Sequence, residues 1–298
     1  MTRLEGKLQN ALDEIRMLVL GVEVLIGFGF RAFLEPGFDR LQVQTQWLKL
    51  AALMLLVVAF ALLLSPATDH QLRFGGEVRR EAYGYTTALM ALALAPFGLS
   101  LVLDLDVALT AVVGAPFARV VAIPSLVLIA LAWFGPLALR RRRNVMDEEH
   151  LPTPISIKVR QVLTEARVIL PGAQALLGFG LVATLMDGFS RLPQSSKWVH
   201  VLGLMTVAAA IVILMMPAAY HRLAERGEDT EAFHKIATRL VLAALVPLGM
   251  AISCGLYIAV ERVSQSPLTA LVAGAAVFAG LIAFWLVIPI LRRRCTID

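Results

Sequence analysis

The chain has 298 residues, of which 58% are hydrophobic and only 16% charged, and its mean hydropathy is +0.76. A water-soluble fold of this length needs more polar surface than that, so the composition excludes an ordinary soluble enzyme and points to a bilayer. The net charge of +5 does not indicate nucleic acid, because the arginine runs at 140–143 and 292–294 each close an apolar block with no aromatic stacking platform beside them.

The apolar residues gather into blocks near the ~20 residues that cross hydrocarbon as a helix. In chain order the first four are Met17–Leu34, Leu48–Ala67, Tyr85–Leu103 and Phe117–Leu139. A polar stretch from Arg140 to Lys158 follows, with a basic run, the acids Asp147–Glu149, and the prolines Pro152 and Pro154, which suits a solvated connector. Four more blocks complete the chain: Val168–Met186, Trp198–Ala219, Leu240–Val260 and Leu268–Leu291. Blocks this continuous do not carry the alternation of barrel strands. With the N-terminus inside, twenty of the 27 Lys and Arg fall on the cytoplasmic side, so both termini are expected there. No small-residue cleavage site follows the amphipathic first 16 residues, and the first span is expected to act as its own targeting signal. Cys254 and Cys295 have no metal-like spacing and do not form a disulfide framework.

The chain also repeats itself. EIRMLVLGVEVLIGFGF from Glu14 returns 151 residues later as EARVILPGAQALLGFGL from Glu165, with seven of 17 residues identical. The same offset pairs Trp47 with Trp198, His70 with His221, Glu77 with Glu228, Pro96 with Pro247 and Gly98 with Gly249. Such a sustained offset predicts a tandem duplication. The expected fold is therefore an all-α integral membrane protein, with eight transmembrane helices as two parallel four-helix repeats. The repeats are residues 1–143 and 158–298, joined by a linker at 144–157. An even number of spans inserts both repeats the same way, about an axis along the membrane normal. An internal pseudo-dimer of this kind is expected to contact lipid, and can add a homo-oligomeric or other protein partner.

Glu165-Ala-Arg167, Leu170-Pro-Gly-Ala-Gln174 and Met216-Pro-Ala-Ala-Tyr-His-Arg222 resemble motifs of an uncharacterised family of bacterial four-helix membrane proteins. The first repeat departs from that pattern with Leu20, Glu23 and Asp69-His70-Gln71 at the matching places. The resemblance implies a fused pair of units in a bacterial inner membrane. Members of that family sometimes carry a sodium/proton antiporter label.

Among candidate residues, Glu23 lies inside the first apolar block, and the duplicate position holds Gln174. Intramembrane acids face a bundle interior or a water cavity, whereas an interhelical hydrogen bond would suit either residue equally. Glu14 and Glu165, with Arg16 and Arg167, mark the cytoplasmic mouth and could pair with loop charges such as Glu77 and Glu228. His70 and His221 end the second block of each repeat, on the cytoplasmic face. Pro96-Phe97-Gly98 and Pro247-Leu248-Gly249 are candidate helix breaks, because paired interruptions in two halves point to a transporter's binding site. No phosphate loop, nucleophile elbow or zinc spacing occurs, so no enzyme, cofactor or metal site is expected. The sequence favours a small-ion transporter or channel, open to proton coupling; the alternative is a non-catalytic membrane scaffold or partner subunit.

Overall fold

Long apolar segments bounded by turn residues can satisfy their backbone only internally, and in the computed structural model they do so as helices. Residues 3–77, 79–139, 154–223, 225 and 228–294 are described, and no strand occurs among them. The elements are α1 (Arg3–Ala32), a 3-10 turn (Phe38–Arg40), α2 (Val43–Phe74), α3 (Arg80–Val113), α4 (Ala115–Leu139), α5 (Ile155–Ala183) and the four-residue α6 (Asp187–Ser190). There follow α7 (Gln194–Leu223), α8 (Glu231–Ser264), α9 (Pro267–Ile282), a π-helical turn (Ala283–Val287) and α10 (Ile288–Arg294). Most of the expected linker at 144–157, the first arginine run and Cys295 lie outside the described residues.

The ends of these helices follow local chemistry. Gly75 takes the left-handed conformation (φ 59°) that closes α2, donating its N–H to the His70 carbonyl. The Thr230 hydroxyl accepts the Phe233 N–H at 3.0 Å and opens α8. Ser266 caps α9 in the same way, with Pro267 at the first helical position, where its missing N–H costs nothing.

Seven helices are long and apolar enough to cross a membrane, α9 and α10 counting as one through the π turn. The eighth expected block, Met17–Leu34, runs past the end of α1 at Ala32. Any 18-residue stretch held within the helix therefore includes at least three charged residues, the fewest being Arg16, Glu23 and Arg31 over 15–32, too many for an unaided span.

The expected breaks at Pro96–Gly98 and Pro247–Gly249 require correction. Both sites lie inside continuous helices, so no unwound backbone is presented there. A proline removes one donor while the neighbouring turns keep theirs. The glycine two residues on has a packing role instead. A Cβ at Gly98 would stand 2.9 Å from the Trp133 ring, and one at Gly249 would stand 3.6 Å from Trp285. Each Pro-X-Gly thus seats a tryptophan of the following helix, and Phe97 stacks on Trp133 with centroids 5.8 Å apart.

One helix from each half lies at the centre. The apolar stretches of α2 and α8 are 61% buried, against 22% or less in α3, α4, α7 and the α9–α10 span. α1 packs on α2 and α5, α5 on α7 and α8, and a single apolar core including Val22, Phe60, Leu245 and Trp285 runs through both halves. The contact between the halves is one-sided. α2 meets α8, the π turn and α10, while among the described residues no contact of that extent joins α7 to α3 or α4. Trp285 fixes this side: fully buried, it donates its indole N–H to the Ala61 carbonyl at 3.0 Å and meets Phe60 edge-on.

Candidate functional site

The seam between α1 and α5 is built in layers, starting from the end of the bundle where α2 finishes and α5 and α8 begin. At that basic end Lys158 donates to the Glu77 carboxylate. His70 is buried there, within electrostatic reach of Glu77, His234 and Lys158. Gly76, at φ 81°, turns the chain so closely past His234 that a Cβ would stand 3.3 Å from its Nε2.

Deeper in, the Gln71 amide donates to both oxygens of Glu165 at 3.1 Å, and the Thr238 hydroxyl donates to the Gln71 carbonyl oxygen at 3.3 Å. This chain of contacts links α2, α5 and α8 and is almost closed to solvent. The Arg16 guanidinium lies within electrostatic reach of Glu165. Asp69, next to Gln71, is 1% exposed, with both carboxylate oxygens lacking a hydrogen-bond partner among the described residues.

An apolar layer follows, with Val19 on α1 and Ile169 on α5 both buried. Beyond it lies Glu23, wholly buried, its two oxygens without a hydrogen-bond partner among the described residues. The side chain fits against the α5 backbone at Gly172, where a Cβ would fall 1.6 Å from Oε2. Only glycine leaves room for the carboxyl at this crossing. Four residues further along α1, Gly27 is covered by the Phe179 ring, whose nearest carbon would stand 2.2 Å from a Cβ there. Past this point the seam opens into a cleft toward the opposite end, lined by Gly27, Phe30, Leu176, Phe179, Gly203 and Cys254 among others. Arg31 and His200 supply its polar lining, with Arg31 paired to Glu35 at 2.9 Å and His200 against the Gly180 carbonyl at 2.9 Å.

The seam thus brings together Glu23, Arg16, Glu165, Glu77 and His70. It does not bring in the other candidates. Gln174, Glu14, Arg167 and Glu228 are exposed, and His221 pairs with Asp229 at 3.4 Å instead. The loop acid Glu77 pairs with Lys158. Sequence reasoning missed Gln71, Asp69, Lys158, Thr238 and His234 as members of the cluster. The available signal was Asp69-His70-Gln71, where the second repeat reads Tyr-His-Arg. Another buried acid, Glu261, accepts a hydrogen bond from Ser196 near the opposite end. No group of three or more His, Cys, Asp or Glu among the described residues is arranged to hold a metal ion.

Seven long apolar helices and a polar seam enclosed by helix packing give the chain the build of a multi-pass helical membrane protein. It belongs to a family of unknown function (DUF6328), which matches it in two segments, residues 1–136 and 156–289, consistent with a duplication. No curated protein and no solved structure matches the chain.

Proposed function

We propose that this protein is a proton-coupled small-ion transporter of the bacterial inner membrane, with Glu23 as its proton-carrying site. The observation that carries the reading is Glu23 itself: a carboxyl at zero exposure, without a hydrogen-bond partner among the described residues. It sits between a polar cluster on one side and an open cleft on the other. An acid inside a membrane bundle is costly and is kept where a proton or cation must bind. Gln71, Glu165, Thr238 and Arg16 offer polar groups two helical turns from Glu23, about 10 Å along the axis. Val19 and Ile169 seal the path on that side, and Phe179 over Gly27 seals it on the other. Apolar constrictions of this kind gate by excluding water. Alternating access then consists of relieving one seal at a time, as small movements of α5 against α1. The basic end faces the cytoplasm in this reading, in keeping with the distribution of Lys and Arg. α1 is the eighth span, with Glu23 covered by α5 instead of lipid.

The test is flux in proteoliposomes under imposed gradients of sodium, potassium and protons. The wild type should dissipate the proton gradient and at least one cation gradient. A hydrophobic carbodiimide should form an adduct at Glu23 and stop the flux. Flux that persists after complete modification of Glu23 removes it from the mechanism, and absence of flux under every gradient returns the protein to the scaffold alternative.

A further inference from the structure

The contact between the halves uses one set of positions in the first half and a different set in the second. The offset of 151 residues gives every such position a duplicate. Had the halves met about a two-fold axis, each contact and its duplicate would both be made. They are not. Glu23 fills the space over Gly172, but the duplicate pair is empty: Gly21 has nothing within 4 Å, and Gln174 is exposed. The Leu34 backbone presses on Gly188, where a Cβ would stand 2.2 Å from its carbonyl oxygen. In the duplicate pair Gly37 has nothing within 4 Å and Leu185 is 86% exposed. Gly178 likewise has open space where its duplicate Gly27 takes Phe179.

The polar contacts follow the same rule. Gln71 and Glu165 are joined and buried, while their duplicates Arg222 and Glu14 are exposed. Lys158 and Glu77 are paired; the duplicates are Lys7 and Glu228, again a cation and an acid, with Glu228 exposed. The complementarity is not weakened in the unused set. Arg222 against Glu14 is a full ion pair where the used set has an amide against a carboxylate.

A head-to-tail contact leaves one unused face at each end, and the two unused faces fit each other. We infer that a second copy of this chain docks there, its first half meeting the second half of its neighbour through Gly21, Gly37 and Glu14 against Gln174, Leu185 and Arg222. Repetition of the same rotation about the membrane normal closes a ring with an even number of halves, four or more. α1 and α5 contact each neighbour in turn and so lie innermost. This inference stands on the duplicated contacts and is independent of the transport reading.

Disulfide trapping in native membranes tests it. Two differently tagged chains, each with Cys254→Ala and Cys295→Ala, carry Lys7→Cys and Glu228→Cys respectively, the duplicates of Lys158 and Glu77. The expected product is a cross-linked dimer bearing both tags. A single chain carrying Glu77→Cys and Lys158→Cys should cross-link internally, as a control for folding. Arg222→Glu should lower the dimer yield at least about ten-fold, and Glu14→Arg on the other chain should restore it. Control cross-linking without any two-tag dimer overturns the inference. So does cross-linking of Lys7→Cys to Glu228→Cys within one chain, or a native mass of a single chain in lipid nanodiscs.

Discussion

A carboxyl group is expensive to bury where nothing answers it, and the Glu23 side chain is held by the absence of a side chain opposite. Gly172 is the complement of Glu23: the helix approach that buries the acid leaves no volume for even a methyl group. Gly172→Ala should therefore lower thermal stability by about 1–3 kcal/mol, read as a shift in detergent unfolding. In a Glu23→Ala background the same substitution should cost little, so a double-mutant cycle isolates the contact. Glu165→Ala deprives the buried Gln71 amide of both its acceptors and should cost about 1–3 kcal/mol by the same measurement. Glu23 was legible in the sequence because a charge inside an apolar block is conspicuous. Its glycine partner was visible only as one of several duplicated glycines, since no periodicity says which glycine faces which helix. The pairing of Gln71 with Glu165 spans 94 residues and two halves, and local spacing carries no trace of it.

At the scale of the element, the helices were legible nearly to their ends, because blocks of apolar residues bounded by glycine, proline and capping residues leave few alternatives in a bilayer. The role of the prolines was not. Pro-X-Gly reads as an interruption when only the backbone donor is counted, yet α3 and α8 run through it and use the glycine to admit a ring from the next helix. Pro247→Ala should accordingly leave folding and any flux close to wild type. Trp285→Ala should cost about 3–5 kcal/mol, because it empties a fully buried site and leaves the Ala61 carbonyl without the indole donor. Trp133, only half-buried over Gly98, should cost less when truncated. The failure of α1 to qualify as a span by composition has the same origin as its interest. Arg16, Glu23 and Arg31 are tolerable on a helix that sets Arg16 and Glu23 beside α5 and Arg31 in the cleft, and costly on one facing lipid.

At the scale of the molecule, the two halves share one core instead of resting against each other as finished bundles. The most buried helix of the first half is its second, α2, while that of the second half is its third long one, α8. The duplication announced two like units, but the choice between a two-fold and a head-to-tail contact depends on which faces meet, and that is set by packing of tryptophan, glycine and buried polar groups across the seam. The halves made as separate chains, 1–143 and 158–298, should co-purify when co-expressed, and the first half alone should be lost to proteolysis with α2 uncovered. Recovery of a stable first half alone would show that the shared core is dispensable. In the transport reading a proton reaches Glu23 between the two seals of the seam. The most direct test is the initial rate of proton entry into liposomes holding equal amounts of wild type and Glu23→Gln. Glu23→Gln should be slower by about ten-fold or more, roughly 1.4 kcal/mol in barrier, with unchanged thermal stability. Equal rates for the two proteins would contradict it.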